Sequence, residues 1–343
     1  MSTIHRPRRV GLPALALLGV GALALTACTS PSAGGDGAVD TAAPSAAVDP
    51  YAPEVTDVNL MIWRTPSAAP YFVAADEGII AEYGVDYSID YAENSAAAVA
   101  TVVGGTTDIT SASLFAVVSA INEGIELKVI GEQFRQVEDS AFLETLPGSG
   151  IESIEDLPGH KIGVVGLNSA YHLGIASWLD EHGYDSSEVE FVNLGFGEMG
   201  QALQTGAIDA GSFTGPTLEQ AREEMGSVPV FDYKVQFPNL PATSYIVRAD
   251  WAAANPNTVA AFQCAVIVRG TEIVRDDDEV YRASVMKGLG WDEAAMDSQV
   301  KFEYTPANDP EVQQYVPDLM YSAGLIPEEF DITTVLIPLP ENC

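Results

Sequence analysis

Arg64 stands directly behind an apolar, strand-like run, in a chain with 15 lysines and arginines against 49 aspartates and glutamates. A guanidinium in that position can hold a sulfonate, carboxylate or nitrate through charge-assisted hydrogen bonds; its plainer role is a surface arginine balancing nearby acids. Hydroxyl and amide side chains recur at equivalent places: Asn94-Ser95, Ser111-Ala112-Ser113, Asn168-Ser169-Ala170-Tyr171 and Thr214. Each follows a strand-like run and precedes a helix-like one, and the free N–H groups of a helix start favour negative charge. Singly, such residues serve as helix caps. As a set they are polar loops able to wrap one small molecule. Trp63, Tyr71, Phe134, Tyr171, Phe196 and Phe213 supply rings on which a flat ligand would stack, with Trp63 and Tyr171 best placed by loop position, and Arg135 is a weaker charged candidate. Catalysis has less support: the four histidines are scattered, the cysteines lack metal-ligand spacing, and no nucleophile stands beside a base. The chain is therefore read as a non-enzyme with no cofactor and no metal.

The elements that must position these residues alternate. Strands are predicted over 55–63, 85–91, 108–110 and 127–132, with helices over 70–83 (broken at Gly78), 96–103 and 113–122. A second unit repeats the pattern: strands over 161–165, 189–194, 208–213 and 228–233, helices over 169–183, 198–204 and 216–225. Alternation of this kind predicts an α/β architecture of two lobes, each a mostly parallel sheet flanked by helices. Short strand-like segments at 140–145 and 243–248 are expected to cross between the lobes as a hinge. Lobe 1 would then comprise 54–145 plus 249–343, and lobe 2 would comprise 146–248. A long helix at 257–275 and further helices at 278–288, 292–300 and 310–323 return to lobe 1. In open α/β sheets ligands lie beyond the carboxyl ends of the strands, which points the polar loops at one shared cleft.

The start of the chain carries a different message. His5-Arg6-Pro7-Arg8-Arg9 is basic, 12–25 is almost wholly apolar, and Leu25-Thr26-Ala27-Cys28 closes the run with small residues. That order is the layout of a secretory signal, and the apolar stretch is shorter than the roughly 20 residues of a membrane span. Its last four residues resemble the bacterial lipobox, which implies cleavage after residue 27 and a lipid anchor on Cys28 at the outer face of the cytoplasmic membrane; the alternative is a plain cleaved signal. Residues 28–53, rich in Ser, Ala, Gly and Pro, read as a flexible tether. Loss of the leader would remove three arginines and no acid, making the net charge three units more negative than the −34 of the full chain. Phosphate-driven binding to nucleic acid is thereby excluded as a function class. With Cys28 given to lipid, Cys264 and Cys343 remain; outside the cytoplasm they suggest a disulfide, with two free thiols as the alternative.

A family is visible in several motifs taken in order. They are Pro70-Tyr71-Phe72-Val73-Ala74-Ala75-Asp76-Glu77-Gly78 with Tyr83-Gly84-Val85-Asp86, then Gly104-Gly105-Thr106-Thr107-Asp108-Ile109. Ile154-Glu155-Asp156-Leu157-Pro158-Gly159-His160-Lys161-Ile162-Gly163-Val164 and Ala202-Leu203-Gln204-Thr205-Gly206-Ala207-Ile208-Asp209-Ala210 follow. Together they resemble the periplasmic-binding-protein-like (type II) solute receptors of ABC importers, in the nitrate, sulfonate and taurine group, a superfamily that also holds receptors for thiamine pyrimidine precursors. The resemblance implies an extracytoplasmic, monomeric binding protein that hands a small organic anion to a permease and an ATPase. An aromatic heterocycle is the second expectation, and an enzyme on the same fold or a sensory lipoprotein are the rival classes. Two positions depart from the pattern: His160 replaces a basic residue, and Gly215 stands before Pro216 where the family often has a polar or acidic side chain, which loosens any inference about the ligand.

Overall fold

The computed structural model describes residues 49–167, 169–238 and 243–343; the expected leader, Cys28 and Asn168 lie outside them. Among the described residues ten strands form two five-stranded sheets. β1 (Asp57–Ile62), β2 (Asp86–Tyr91), β3 (Ile109–Ala112) and β4 (Leu127–Phe134) belong to the first. β5 (Ala141–Thr145), β6 (Lys161–Val164), β7 (Glu190–Asn193), β8 (Ala210–Thr214) and β9 (Val228–Asp232) form the second, and β10 (Thr243–Arg248) returns to the first.

Both sheets share one topology. The first runs β2-β1-β3-β10-β4, with β1 parallel to both its neighbours and β10 antiparallel to β3 and β4. The second runs β7-β6-β8-β5-β9, with β6 parallel to its neighbours and β5 antiparallel to β8 and β9. Each antiparallel strand is donated by the chain arriving from the other sheet. The expectation that 140–145 and 243–248 are themselves the crossings is therefore corrected. Both are strands inside the sheet they enter, and the chain passes between sheets just before them, at 135–140 and between β9 and β10. The physical reason is pairing: over Ala141–Thr145 the backbone of β5 is bonded to β8 on one side and to β9 on the other, which fixes it inside the second sheet.

Helices cover both faces of each sheet, so the cores lie in layers. One core of the first sheet packs helix Ala69–Asp76 against the long helical run that begins at Pro256, with Phe72, Phe262, Val266 and Tyr281 buried between them. Its other face holds Phe115, Val118, Val316 and Met320 from helices Leu114–Asn122 and Pro310–Ser322. The second sheet is covered by helix Ala170–Glu181 on one side and by helices Phe196–Gln204 and Gly215–Met225 on the other.

Two glycines show why the packing is this close. At Gly270 a methyl group would lie 2.3 Å from the carbonyl oxygen of Pro70, so the returning helix touches the first helix backbone to backbone. At Gly78 the backbone takes φ +73°, ending the first helix at the break expected there. The long helix widens to a π form over Gln263–Gly270, where Gln263 Nε2 donates to the carbonyl of Ile130 at 2.8 Å. Cys264 and Cys343 are joined by a disulfide with Cα atoms 5.0 Å apart, fixing the end of the chain to that helix. Among the described residues no helix is long and apolar enough to cross a membrane.

Candidate functional site

The tips of the parallel strands in both sheets open onto one cavity of about 390 Å³. Its first wall comes from the segment after β1 (Trp63, Thr65, Pro66, Ser67), from Ser95 at a helix start, and from Ser113 after β3. Its second wall comes from Val165, Ser169, Ala170, Tyr171, Phe196 and the turn 214–217. The crossings close the back with Gln136 on one side and Tyr233, Lys234 and Phe237 on the other. Trp291, Gln299 and Phe302, from the returning C-terminal segment, complete it.

Aromatic rings dominate this lining. Tyr171 meets Tyr233 edge-on at 4.7 Å between centroids and Phe196 at 6.2 Å, while Phe134 lies against Phe302 at 4.5 Å. Most of the polar groups are already paired within the chain. Gln136 Nε2 donates to the Tyr171 hydroxyl at 3.1 Å, and Gln136 Oε1 accepts from Ser140 at 2.6 Å. Tyr233 and Ser212 share a hydrogen bond of 2.7 Å, and Thr214 Oγ1 donates to the Ser140 carbonyl at 2.7 Å. Burial pushes the Tyr171 phenol up to about 12 and raises that of Tyr233 further, so both stay neutral at any physiological pH.

Charge is nearly absent. Lys234 is the sole cation among the described lining residues, and its ammonium already donates to the Pro238 carbonyl at 2.9 Å; no carboxylate lines the cavity. Two polar atoms on the first wall, Trp63 Nε1 and Ser113 Oγ, are shielded from solvent and have no hydrogen-bond partner. Among the described residues no group of three or more His, Cys, Asp or Glu side chains is arranged to hold a metal ion.

The family model described as "NMT1/THI5 like" matches residues 65–279, more than half of the chain and every strand after β1. The chain belongs to the NMT1/THI5-like family. Among its relatives, the riboflavin-binding protein RibY of Chloroflexus aurantiacus is 24% identical over 267 residues, spanning 77% of this chain and 74% of that protein. The alkanesulfonate-binding protein SsuA of Xanthomonas axonopodis pv. citri, solved with MOPS, superimposes with a TM-score of 0.70 at 14% identity, covering 83% of this chain and 99% of its own. The ligand-binding component of an ABC-type import system from Staphylococcus aureus gives 0.68 at 12% identity, covering 83% and 97%. At such identities the structural likeness establishes the two-lobe fold shared with these proteins.

In this NMT1/THI5-like chain the cavity gathers Trp63, Ser95, Ser113, Ser169, Tyr171 and Thr214 from the residues singled out in the sequence, together with Phe134 and Phe196. Others lie elsewhere. Arg64 is exposed and stacks its guanidinium over the Tyr91 ring at 5.5 Å, because Trp63 turns toward the cavity and the next side chain must point away. Tyr71 packs edge-on against Tyr87 in the first core, and Phe213 is buried in the second sheet's core. Ser111 is fully buried within β3, one alternation from the strand tip that Ser113 occupies. Arg135 pairs with the buried Glu132 at 2.7 Å.

Asn94 is a helix cap, its Oδ1 accepting from the Ala97 N–H at 2.9 Å. Asn94→Ala is accordingly expected to lower stability by about 1 kcal/mol in denaturant titration and to leave ligand affinity unchanged. Two groups stand out among the lining residues not anticipated. Gln136, Tyr233, Lys234 and Phe237 sit at the true crossings, and shifting the hinge by one strand would have found them. Trp291, Gln299 and Phe302 carry no signal in the sequence, since nothing in a local pattern shows that the returning segment reaches the cleft.

Proposed function

We propose that this chain is the solute-binding component of an ABC importer and that its ligand is a flat, essentially uncharged heteroaromatic molecule. The observation that carries this reading is the cavity itself: rings from both lobes and from the crossings line it, with no cation left unpaired. A cavity of about 390 Å³ is in the usual range for small-molecule sites. A small anion would meet no unpaired guanidinium or ammonium among the described lining residues, and the strongly acidic chain would repel it at long range. Arg64, the residue expected to pair with an anion, faces outward and stacks on Tyr91. The riboflavin-binding relative supports the heteroaromatic reading, and the import-system component supports the transport role.

Transport adds requirements that the sequence meets in outline. Export by the leader 1–27, anchoring through Cys28 and a tether over 28–53 would hold the receptor at the outer membrane face beside a permease and an ATPase. Ligand-driven approach of the lobes about the two crossings would mark the loaded state, since a ligand favours the conformation it binds better. The receptor itself performs no chemistry in this reading.

Calorimetric titration of the purified chain with riboflavin, alloxazine, an alkanesulfonate and nitrate tests the ligand class. Riboflavin or alloxazine is expected to bind and raise the melting temperature by mass action, and the anions are not. Arg64→Ala is expected to change neither result. Tight binding of the sulfonate or nitrate, with none of the ring compounds, would overturn the proposal.

A further inference from the structure

Arg135 and Gln136 are neighbours in the first crossing, and successive side chains of an extended segment point to opposite sides. Arg135 is held by the first lobe. Its Nε and Nη2 donate to the two carboxylate oxygens of the buried Glu132 at 2.7 and 3.0 Å. Its backbone exchanges hydrogen bonds of 2.8 and 3.1 Å with Glu303 on the returning segment. Gln136 reaches the other way: Ser140 Oγ donates to its Oε1 at 2.6 Å, and its Nε2 donates to the Tyr171 hydroxyl of the second lobe at 3.1 Å. Anchorage passes from one lobe to the other across a single peptide bond.

Tyr171 stands in the first turn of helix Ala170–Glu181, lines the cavity and keeps part of its surface exposed. Its ring meets Tyr233 at 87° and Phe196 at 89°. Tyr233 is itself fixed, its hydroxyl bonded to Ser212 at 2.7 Å. These edge-on contacts confine the body of the Tyr171 ring, and its outer end is held by the phenol, whose hydrogen-bond partner among the described residues is Gln136.

We infer that Gln136 is a positioning residue of the site: it holds the Tyr171 ring ready to stack on the ligand and, through its neighbour Arg135, fixes that ring relative to the first lobe. A side chain ordered before binding gives up no freedom when the ligand arrives, whereas one ordered by the ligand weakens its affinity. The role rests on the heteroaromatic reading above, because stacking is what the ring contributes, but the position of the ring can be tested with no ligand present.

Gln136→Met keeps the length of the side chain and loses the amide; Tyr171→Phe keeps the ring and loses the hydroxyl. Each is expected to weaken alloxazine binding in calorimetric titration by roughly threefold to tenfold, the cost of ordering one side chain on binding. The double variant should bind within about twofold of either single one, because both changes remove the same bond. Phenazine, with three fused rings and neither carbonyl nor N–H, should lose affinity by the same factor. In protein labelled with 3-fluorotyrosine, the fluorine resonance missing from Tyr171→Phe belongs to Tyr171, and Gln136→Met should shift or broaden that resonance in the unliganded state.

An unmoved resonance, or alloxazine affinity unchanged in Gln136→Met, overturns the inference and leaves the heteroaromatic reading standing. So does a loss confined to alloxazine, which would make Gln136 a direct contact to the polar edge of the ligand, and so does a loss that multiplies in the double variant. Failure of the wild type to bind either ring compound removes the heteroaromatic reading, and the Tyr171 resonance then decides by itself whether Gln136 holds the ring.

Discussion

Replacing Cys264 and Cys343 together by serine is expected to lower the stability of the chain by about 4 kcal/mol. The bond closes a loop with a sequence separation of 79, and a cross-link of that span removes much of the freedom of the unfolded chain. Other contacts hold the same tail, and they are individually weak. Tyr83 donates its hydroxyl to the Cys343 carbonyl at 2.8 Å, and Tyr51 stacks on Tyr83 at 4.8 Å. Asn308 Nδ2 reaches the Ile337 carbonyl at 2.7 Å, and the Ile337 N–H donates to the Val129 carbonyl at 2.8 Å, holding the tail beside β4. Each such bond contributes about 1 kcal/mol, so the covalent link dominates. Guanidinium titration of the oxidised wild type and the double variant measures the difference. A change below about 1 kcal/mol would mean that the tail is held by its hydrogen bonds alone. Ligand affinity should survive, because neither cysteine lines the cavity.

Periodicity was informative wherever one face of an element decides its fate. Alternation over Asp57–Ile62 and Asp86–Tyr91, and capping residues before Ser95–Val103 and Ala170–Glu181, located the elements to within a residue or two. Sheet membership was harder, because five buried residues such as Ala141–Thr145 read alike in either sheet. Only the exchange of antiparallel strands between the sheets decides it. The same distinction governs the site. A strand tip can be located from pattern, and Trp63, Ser113, Tyr171 and Thr214 all reach the cavity for that reason. The direction of the next side chain depends on the local turn, which sends Arg64 out to Tyr91. Residues brought from far along the chain, such as Trp291 and Phe302, depend on tertiary packing that no local pattern encodes.

Gly215 shows how one departure from the family pattern acquires a physical meaning. It opens helix Gly215–Met225 at the end of β8, with φ +49°, in the second lobe. A methyl group built on it would lie 2.5 Å from Gln299 Oε1, and Gln299 belongs to the returning segment that packs on the first lobe through Met296 and Phe302. The two lobes therefore meet at this point beside the cavity, and glycine leaves room for the contact. Because the contact is with the movable end of the Gln299 side chain, Gly215→Ala is expected to weaken ligand binding by up to roughly tenfold, the lower part of the 1–3 kcal/mol that overpacking costs. Some loss of stability will accompany it, because a side chain at this φ costs about 1–2 kcal/mol wherever the lobes stand. The two effects separate in a double-mutant cycle with Gln299→Ala. Gln299→Ala alone should alter affinity little, and combined with Gly215→Ala it should restore binding to within about threefold of wild type. Backbone strain, by contrast, would persist in the double variant. Calorimetric titration of the four proteins with alloxazine decides between the two. An equal loss of affinity in the single and double variants would show that Gly215 is required by its own backbone conformation and that the Gln299 contact does not govern closure.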